Sequence, residues 1–161
     1  MRNRYEEFPS FKHLEAKKKR IEALSPKEKD FFKECIKKFH KELLPHFGSG
    51  SNVELEVIID GLLANPDFIC IIELGKGMII GHVAPYLFNP NKRVASEIGW
   101  YVLPEHRNGS VGIRLVRDFE QVAKIMGAEI LLMATLAGND ISSYYEKKGY
   151  NAQEKFYYKE I

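Results

Sequence analysis

Glu97-Ile98-Gly99-Trp100-Tyr101-Val102-Leu103-Pro104-Glu105-His106-Arg107-Asn108-Gly109-Ser110-Val111-Gly112 is the stretch on which the fold turns. Its first half carries β-branched and aromatic residues in alternation, as a strand does, and Pro104 closes it. A turn of small and polar residues follows, and a helical pattern begins near Gly109. A helix start offers unpaired N–H groups and the positive end of the helix dipole. Glycines let the backbone close around an anion. In physical terms the segment is a phosphate cradle. It lacks the Lys of a P-loop and the spacing of a dinucleotide fingerprint, so the local pattern also suits a plain strand-to-helix turn.

Downstream, the helix is expected over 109–126, with Leu115, Val116, Phe119, Val122, Ala123 and Met126 on one face and Gly127 as its stop. A strand over 129–135, a short helix over 140–147 and a last strand over 156–159 follow. Upstream, 94–103 is the third of three antiparallel strands. The first two, 68–74 and 78–84, form a hairpin about Gly75-Lys76-Gly77, and Asn89-Pro90-Asn91 is read as the next turn. Two helices precede them. Ser25 reads as an N-cap, with Pro26 at the first helical position and Glu28 three after the cap. Phe31, Phe32, Cys35, Ile36, Phe39 and Leu43 continue at helical spacing. Asn52 is read as the cap of the second helix, with Val53, Val57, Ile58, Leu62 and Leu63 as its apolar residues, and Asn65-Pro66-Asp67 as its stop.

This order gives a mixed α/β sheet in which the helix after Gly109 crosses over between parallel neighbours. Residues 1–16 read as an arm or cap. Residues 17–24 suit either a helix by propensity or a short strand by alternation.

The chain has 161 residues, enough for one domain and a core that needs no disulfide or metal staple. Its 45% hydrophobic and 29% charged content exclude a disordered chain. No apolar run approaches the roughly 20 residues of a membrane helix. No apolar leader follows Met1, and a cytoplasmic location is expected. Cys35 and Cys70 sit among apolar residues, as reduced buried thiols would, and no metal-ligand spacing occurs. A net charge of +2 speaks against a nucleic-acid partner. The run Lys17-Lys18-Lys19-Arg20 is read first as a solvated face. Oligomeric state is left open, a homodimer included.

Two motifs in the second half add specificity. Val102-x-Pro104-Glu105-x-Arg107, followed by Ser110-x-Gly112, resembles the acetyl-CoA signature of the GNAT superfamily of N-acetyltransferases, Arg/Gln-x-x-Gly-x-Gly/Ala. Arg107 and Gly112 match its ends, and Ser110 replaces the middle Gly. Asn139-x-x-Ser142-x-x-Tyr145-x-x-x-Gly149-Tyr150 is similar to the family's later Asn-x-x-Ala-x-x-Tyr-x-x-x-Gly-Phe pattern. The two occur in the family's order, with helix and strand between them. The resemblance implies a GNAT-type mixed, mostly antiparallel central sheet flanked by helices, with residues 17–161 as the domain and Lys19 to Leu24 as its opening strand.

The resemblance also implies a reaction: acetyl passes directly from acetyl-CoA to a primary amine. The backbone of Arg107, Asn108, Gly109, Ser110, Val111 and Gly112 would then hold the pyrophosphate. Val102 and Leu103 would line the pantetheine arm, with the Leu103 N–H polarising the thioester carbonyl. Asn139, Ser142 and Tyr145 would complete the cofactor side. Glu97 is the first candidate base, and its other reading is a solvent-facing strand residue or an anchor for a cationic substrate. His82 and Tyr101 are the runners-up. Tyr145 is the candidate acid toward the departing thiolate, or else a packing residue. Asn139 could equally cap the helix that follows it. Two further functions remain open from sequence: a CoA-binding protein without transferase activity, and a partner- or nucleic-acid-binding module using the basic 17–20 run.

Overall fold

The structure is a computed structural model that describes residues 24–136 and 140–161. The expected opening strand lies outside these residues except for Leu24, as do the arm and the basic run.

Helix α1 (Pro26–Leu43) begins as expected. The Ser25 hydroxyl accepts from the Glu28 N–H, and the Glu28 carboxylate accepts from the Ser25 N–H. Helix α2 (Asn52–Ala64) repeats the device one residue earlier than expected, with Ser51 as cap and Glu54 closing the box. Its phase differs from the expected one too. Leu55 and Ile59 are the buried residues, while Val53, Val57 and Ile58 are exposed. Leu55 and Ile59, with the partly buried Leu62 and Leu63, form the stripe that packs on the core under the sheet.

Among the described residues the sheet has four strands: β1 (Phe68–Glu73), β2 (Gly77–Tyr86), β3 (Asn89–Val102) and β4 (Ile130–Leu132). They lie in the order β1-β2-β3-β4, with the first two pairings antiparallel and β3/β4 parallel. Helix α3 (Val111–Ile125) makes the crossover, and the short α4 (Ser142–Lys147) follows β4. The turn expected at Asn89-Pro90-Asn91 lies instead at Leu87 and Phe88, and Asn89 already pairs with Tyr86.

Helices α1 and α2 cover one face of the sheet and α3 the other. Phe68, Cys70, Met78, Ile80, Tyr101 and Leu103 pack with Phe31, Phe32, Cys35, Phe39, Leu55 and Ile59. Ile69, Ile71, Ile79, Val83, Ala95 and Val102 pack with Leu115, Val116, Phe119 and Val122. With both faces covered, β1 reads as an unbroken apolar run. Both cysteines are free and buried, and burial pushes the Cys35 thiol up to about 12.

The last strand expected over 156–159 does not form. Residues 150–161 carry no regular structure, and Phe156 and Tyr157 are 89% and 90% exposed. Aromatic content favours a strand only where a partner strand or core receives it. The Tyr158 ring instead lies 4.7 Å from that of His46 in the α1–α2 connection.

Candidate active site

The site is built on a fault in β3. Ile80 pairs with Gly99 and Gly81 with Glu97, so Ile98 is the extra residue of a β-bulge. Glu97 and Trp100 therefore lie on the same face of the sheet, opposite Gly81 and Ile79, although a regular strand would set residues three apart on opposite faces. Gly81 makes the bulge feasible. A Cβ there would lie 2.3 Å from the Ser96 carbonyl oxygen and 2.7 Å from the Phe119 ring.

Pairing between β3 and β4 covers only Val94/Ile130, Ala95/Leu131 and Ser96/Leu132. Past Ser96 the two strands part, and β4 stops well short of the expected residue 135. The Leu103 N–H donates to the Lys76 carbonyl at 2.8 Å. In an antiparallel ladder the polar groups alternate sides, so those of Trp100 and Val102 face away from β2, toward the gap. The polarising role expected of the Leu103 N–H is therefore not available to it. It belongs to the hairpin, and the N–H aimed at the gap is that of Val102.

Glu97 sits at the apex of the gap. Its carboxylate accepts from the Ala134 N–H at 3.1 Å, across the opening from β3. Burial pushes this carboxyl up to about 7, and the Ala134 N–H only partly counters it. Tyr145, buried on α4, donates its hydroxyl to the Ala134 carbonyl at 3.1 Å. Burial first, and the neighbouring Glu97 charge second, push the Tyr145 phenol well above its ordinary range. Glu97 and Tyr145 thus meet at one residue. The first is a group that exchanges its proton near neutrality, and the second holds its proton throughout.

On the other side of the gap the chain leaves β3 through a 3-10 turn at Pro104–His106 and enters α3 at Val111, with Ser110 as cap residue. The Ser110 side chain makes no capping bond and accepts instead from the Arg114 guanidinium, which also pairs with Glu73 at 2.7 Å. The first N–H groups of α3 have no partner within the helix. A Cβ at Gly112 would lie 2.9 Å from Trp100 Cζ2, so the first turn of α3 rests against β3 with no room for a side chain. A Cβ at Gly109 would meet only the His106 carbonyl, at 3.6 Å. Bare N–H groups, a glycine under the helix start and an open strand edge beside it fit an extended phosphate-bearing ligand such as acetyl-CoA.

The Arg107 side chain does not point at that cradle. It donates through Nε to the Val102 carbonyl at 2.9 Å and through both terminal nitrogens to Glu42. Tyr101, a runner-up for catalysis, gives its hydroxyl to the same Glu42 at 2.9 Å. Glu42 and Tyr101 line an open cleft of about 490 Å³ with Lys38, Lys41, Pro104 and Glu105. Sequence reasoning gave Glu42 no role, because its partner lies 65 residues away. The Ser142 hydroxyl donates to Asp140 at 2.5 Å. His82 lies in β2 opposite Ser96. Asn139 falls outside the described residues. Among the described residues, no three His, Cys, Asp or Glu side chains converge as a metal site requires, and no helix is long and apolar enough to cross a membrane.

Solved structures share this fold. A transcriptional regulator from Bacillus halodurans C-125 superposes with a TM-score of 0.71 at 18% identity, over 83% of this chain and 95% of that one. An acetyltransferase from Trypanosoma brucei gives 0.58 at 20%, over 78% and 92%. AAC(6')-Iy, solved with the bisubstrate analogue CoA-S-monomethyl-acetylneamine, gives 0.60 at 18%, over 80% and 91%. No curated protein matches the sequence. The family model of the acetyltransferase (GNAT) family matches residues 32–150, which hold most of α1, the four described strands, the bulge, the helix-start cradle and Tyr145. With that match over most of its length, the chain belongs to the GNAT acetyltransferase family.

Proposed function

We propose that this protein transfers acetyl from acetyl-CoA to a primary amine, within a domain spanning residues 17–161 of a cytoplasmic protein. The observation that carries the reading is the meeting of Glu97 and Tyr145 at Ala134, at the apex of the gap between β3 and β4. Acetyl-CoA, when bound, supplies the activated acyl thioester. The backbone N–H groups of Asn108, Ser110, Val111 and Gly112 hold its phosphates at the start of α3; those of Arg107 and Gly109 already donate to the Pro104 and His106 carbonyls, each at 3.3 Å. The open edge of β3 at Trp100 and Val102 takes the amide-bearing arm. The Val102 N–H holds the negative charge that grows on the thioester oxygen.

Glu97 takes a proton from the incoming ammonium, since only the free amine carries a lone pair. A carboxyl that titrates near 7 is well matched to that exchange at neutral pH. As the N–C bond forms and the C–S bond breaks, the bonding pair leaves with sulfur. Tyr145 donates its phenolic proton there, and the acylated nitrogen gives up its remaining surplus proton, through solvent, to the Tyr145 phenolate, so that a neutral amide and a free thiol leave. The neighbouring AAC(6')-Iy complex and an aminoglycoside acetyltransferase from an uncultured soil sample share the fold. They make aminoglycosides a natural first set of acceptors.

Release of free thiol from acetyl-CoA across a panel of amines (aminoglycosides, polyamines, Lys and N-terminal peptides) tests the reaction. A thermal shift with CoA tests binding. A shift without turnover on any amine would favour a CoA-binding protein that does not catalyse transfer. No shift would remove the CoA assignment altogether.

A further inference from the structure

We propose that Glu42, near the end of α1, is a positioning residue that sets the phosphate-binding loop through Arg107; the proposal rests on the acetyl-CoA reading above. The Arg107 guanidinium is held through each of its three nitrogens. Its terminal nitrogens bind both oxygens of Glu42, Nη1 to Oε1 at 2.5 Å and Nη2 to Oε2 at 2.8 Å. Its Nε binds the Val102 carbonyl at 2.9 Å, and its plane lies over the Tyr101 ring, 5.3 Å from the centroid. Tyr101 in turn donates to Glu42 Oε2 at 2.9 Å. Every nitrogen of the signature Arg therefore faces the protein.

These bonds join three elements. Val102 ends β3, Arg107 begins the run 107–112, and Glu42 belongs to α1 on the other side of the bend. The Nε bond closes the bend, and the fork on Glu42 holds the closing side chain from outside. A flat, two-point contact of this kind fixes direction as well as distance. A neutral amide at position 42 would keep one acceptor and lose the fork. The main chain from Pro104 to Gly112 would then be free to swing, and a ligand binding its N–H groups would have to order it first.

The magnitudes favour a local effect. The Glu42 and Arg107 side chains are 37% and 39% exposed, so the pair adds little to overall stability. Its removal should therefore loosen the loop while leaving the fold intact.

The test compares the full-length wild type with Glu42→Gln, Arg107→Lys and the double variant. Amide hydrogen exchange without ligand should quicken about fivefold over residues 104–112 in Glu42→Gln and stay unchanged in α1 and in the later turns of α3. CoA affinity by calorimetry should weaken about tenfold, with kcat at saturating acetyl-CoA retained. In the Arg107→Lys background the same change at position 42 should cost less than about twofold, because the two residues act as one unit. Unchanged loop exchange in Glu42→Gln, or an undiminished cost in the Arg107→Lys background, would overturn the role of Glu42 alone. A wild type without CoA affinity would overturn the acetyl-CoA reading and this proposal with it.

Discussion

Glu97 and Tyr145 grip opposite ends of the same residue: the carboxylate accepts from the Ala134 N–H and the phenol donates to the Ala134 carbonyl, each at 3.1 Å. One comes from β3 and the other from α4, so the short segment after β4 sets how far apart they stand. Moving Ala134 would move both.

The pH dependence of turnover should follow Glu97. Its carboxyl titrates at about 7, and the proposed base is the ionised form. The rate constant kcat/KM is expected to rise tenfold per pH unit below 7 and level off above it. Glu97→Gln should abolish that inflection and lower kcat by about 100-fold. A profile flat from pH 5 to 8 in the wild type would take the base role from Glu97.

The same residue should cost stability. A carboxyl whose folded value lies above the unfolded value of 4.5 binds more protons in the native state between pH 4.5 and 7. Stability from this group therefore falls as pH rises through that window. Glu97→Gln should be more stable than wild type at pH 8, by on the order of 2 kcal/mol, and no more stable at pH 4. Urea unfolding at the two pH values reads the difference, and an equal effect at both would contradict it.

Tyr145→Phe should separate catalysis from binding. It leaves the ring packed against Tyr150, whose centroid is 5.3 Å away, and removes the proton donor together with its hydrogen bond to the Ala134 carbonyl, while the Glu97 contact still holds Ala134 through its N–H. The expected result is a kcat about 100-fold lower with CoA affinity within a factor of two. Wild-type kcat in this variant would leave Tyr145 a packing residue.

Gly112 and Gly109 should respond differently to the same methyl group. At Gly112 the methyl meets Trp100 Cζ2 at 2.9 Å; at Gly109 it has room. Gly112→Ala gains up to about 1 kcal/mol of helix propensity but must shift a packed indole, which costs about 1–3 kcal/mol. A net loss of stability and weaker CoA binding are expected. Gly109→Ala should stay within about 0.5 kcal/mol of wild type. Thermal unfolding of both variants, with and without CoA, decides.

Much of this was legible in local sequence. The Ser25 capping box, the hairpin about Gly75 to Gly77 and the crossover helix each rest on contacts within a few residues, and a linear pattern records those. The two family motifs recorded the cradle and Tyr145. What escaped was non-local. The Ile98 bulge lies opposite Gly81, where a side chain would meet Ser96 and Phe119, and nothing in β3 announces it. The ion pair of Glu42 and Arg107 spans 65 positions. The face of α2 that is buried was chosen by the core it meets: Leu55 and Ile59 pack there while Val53, Val57 and Ile58 do not, and local spacing of apolar residues allowed either. The final strand failed for the converse reason: Phe156 to Tyr158 have the composition of a strand and no neighbour to pair with among the described residues.

Trp100 gives the contact beneath Gly112 an optical meaning. It is the chain's one tryptophan. Its indole nitrogen is buried without a hydrogen-bond partner among the described residues, and the Tyr144 and Tyr145 rings lie 6.4 and 6.5 Å from it. Emission excited at the red edge of the spectrum therefore comes from a single point, wedged between the start of α3 and the helix that carries the proposed acid. The protein carries its own dye at the place where ligand and chemistry would meet, and a fluorescence titration reads that place with no label attached.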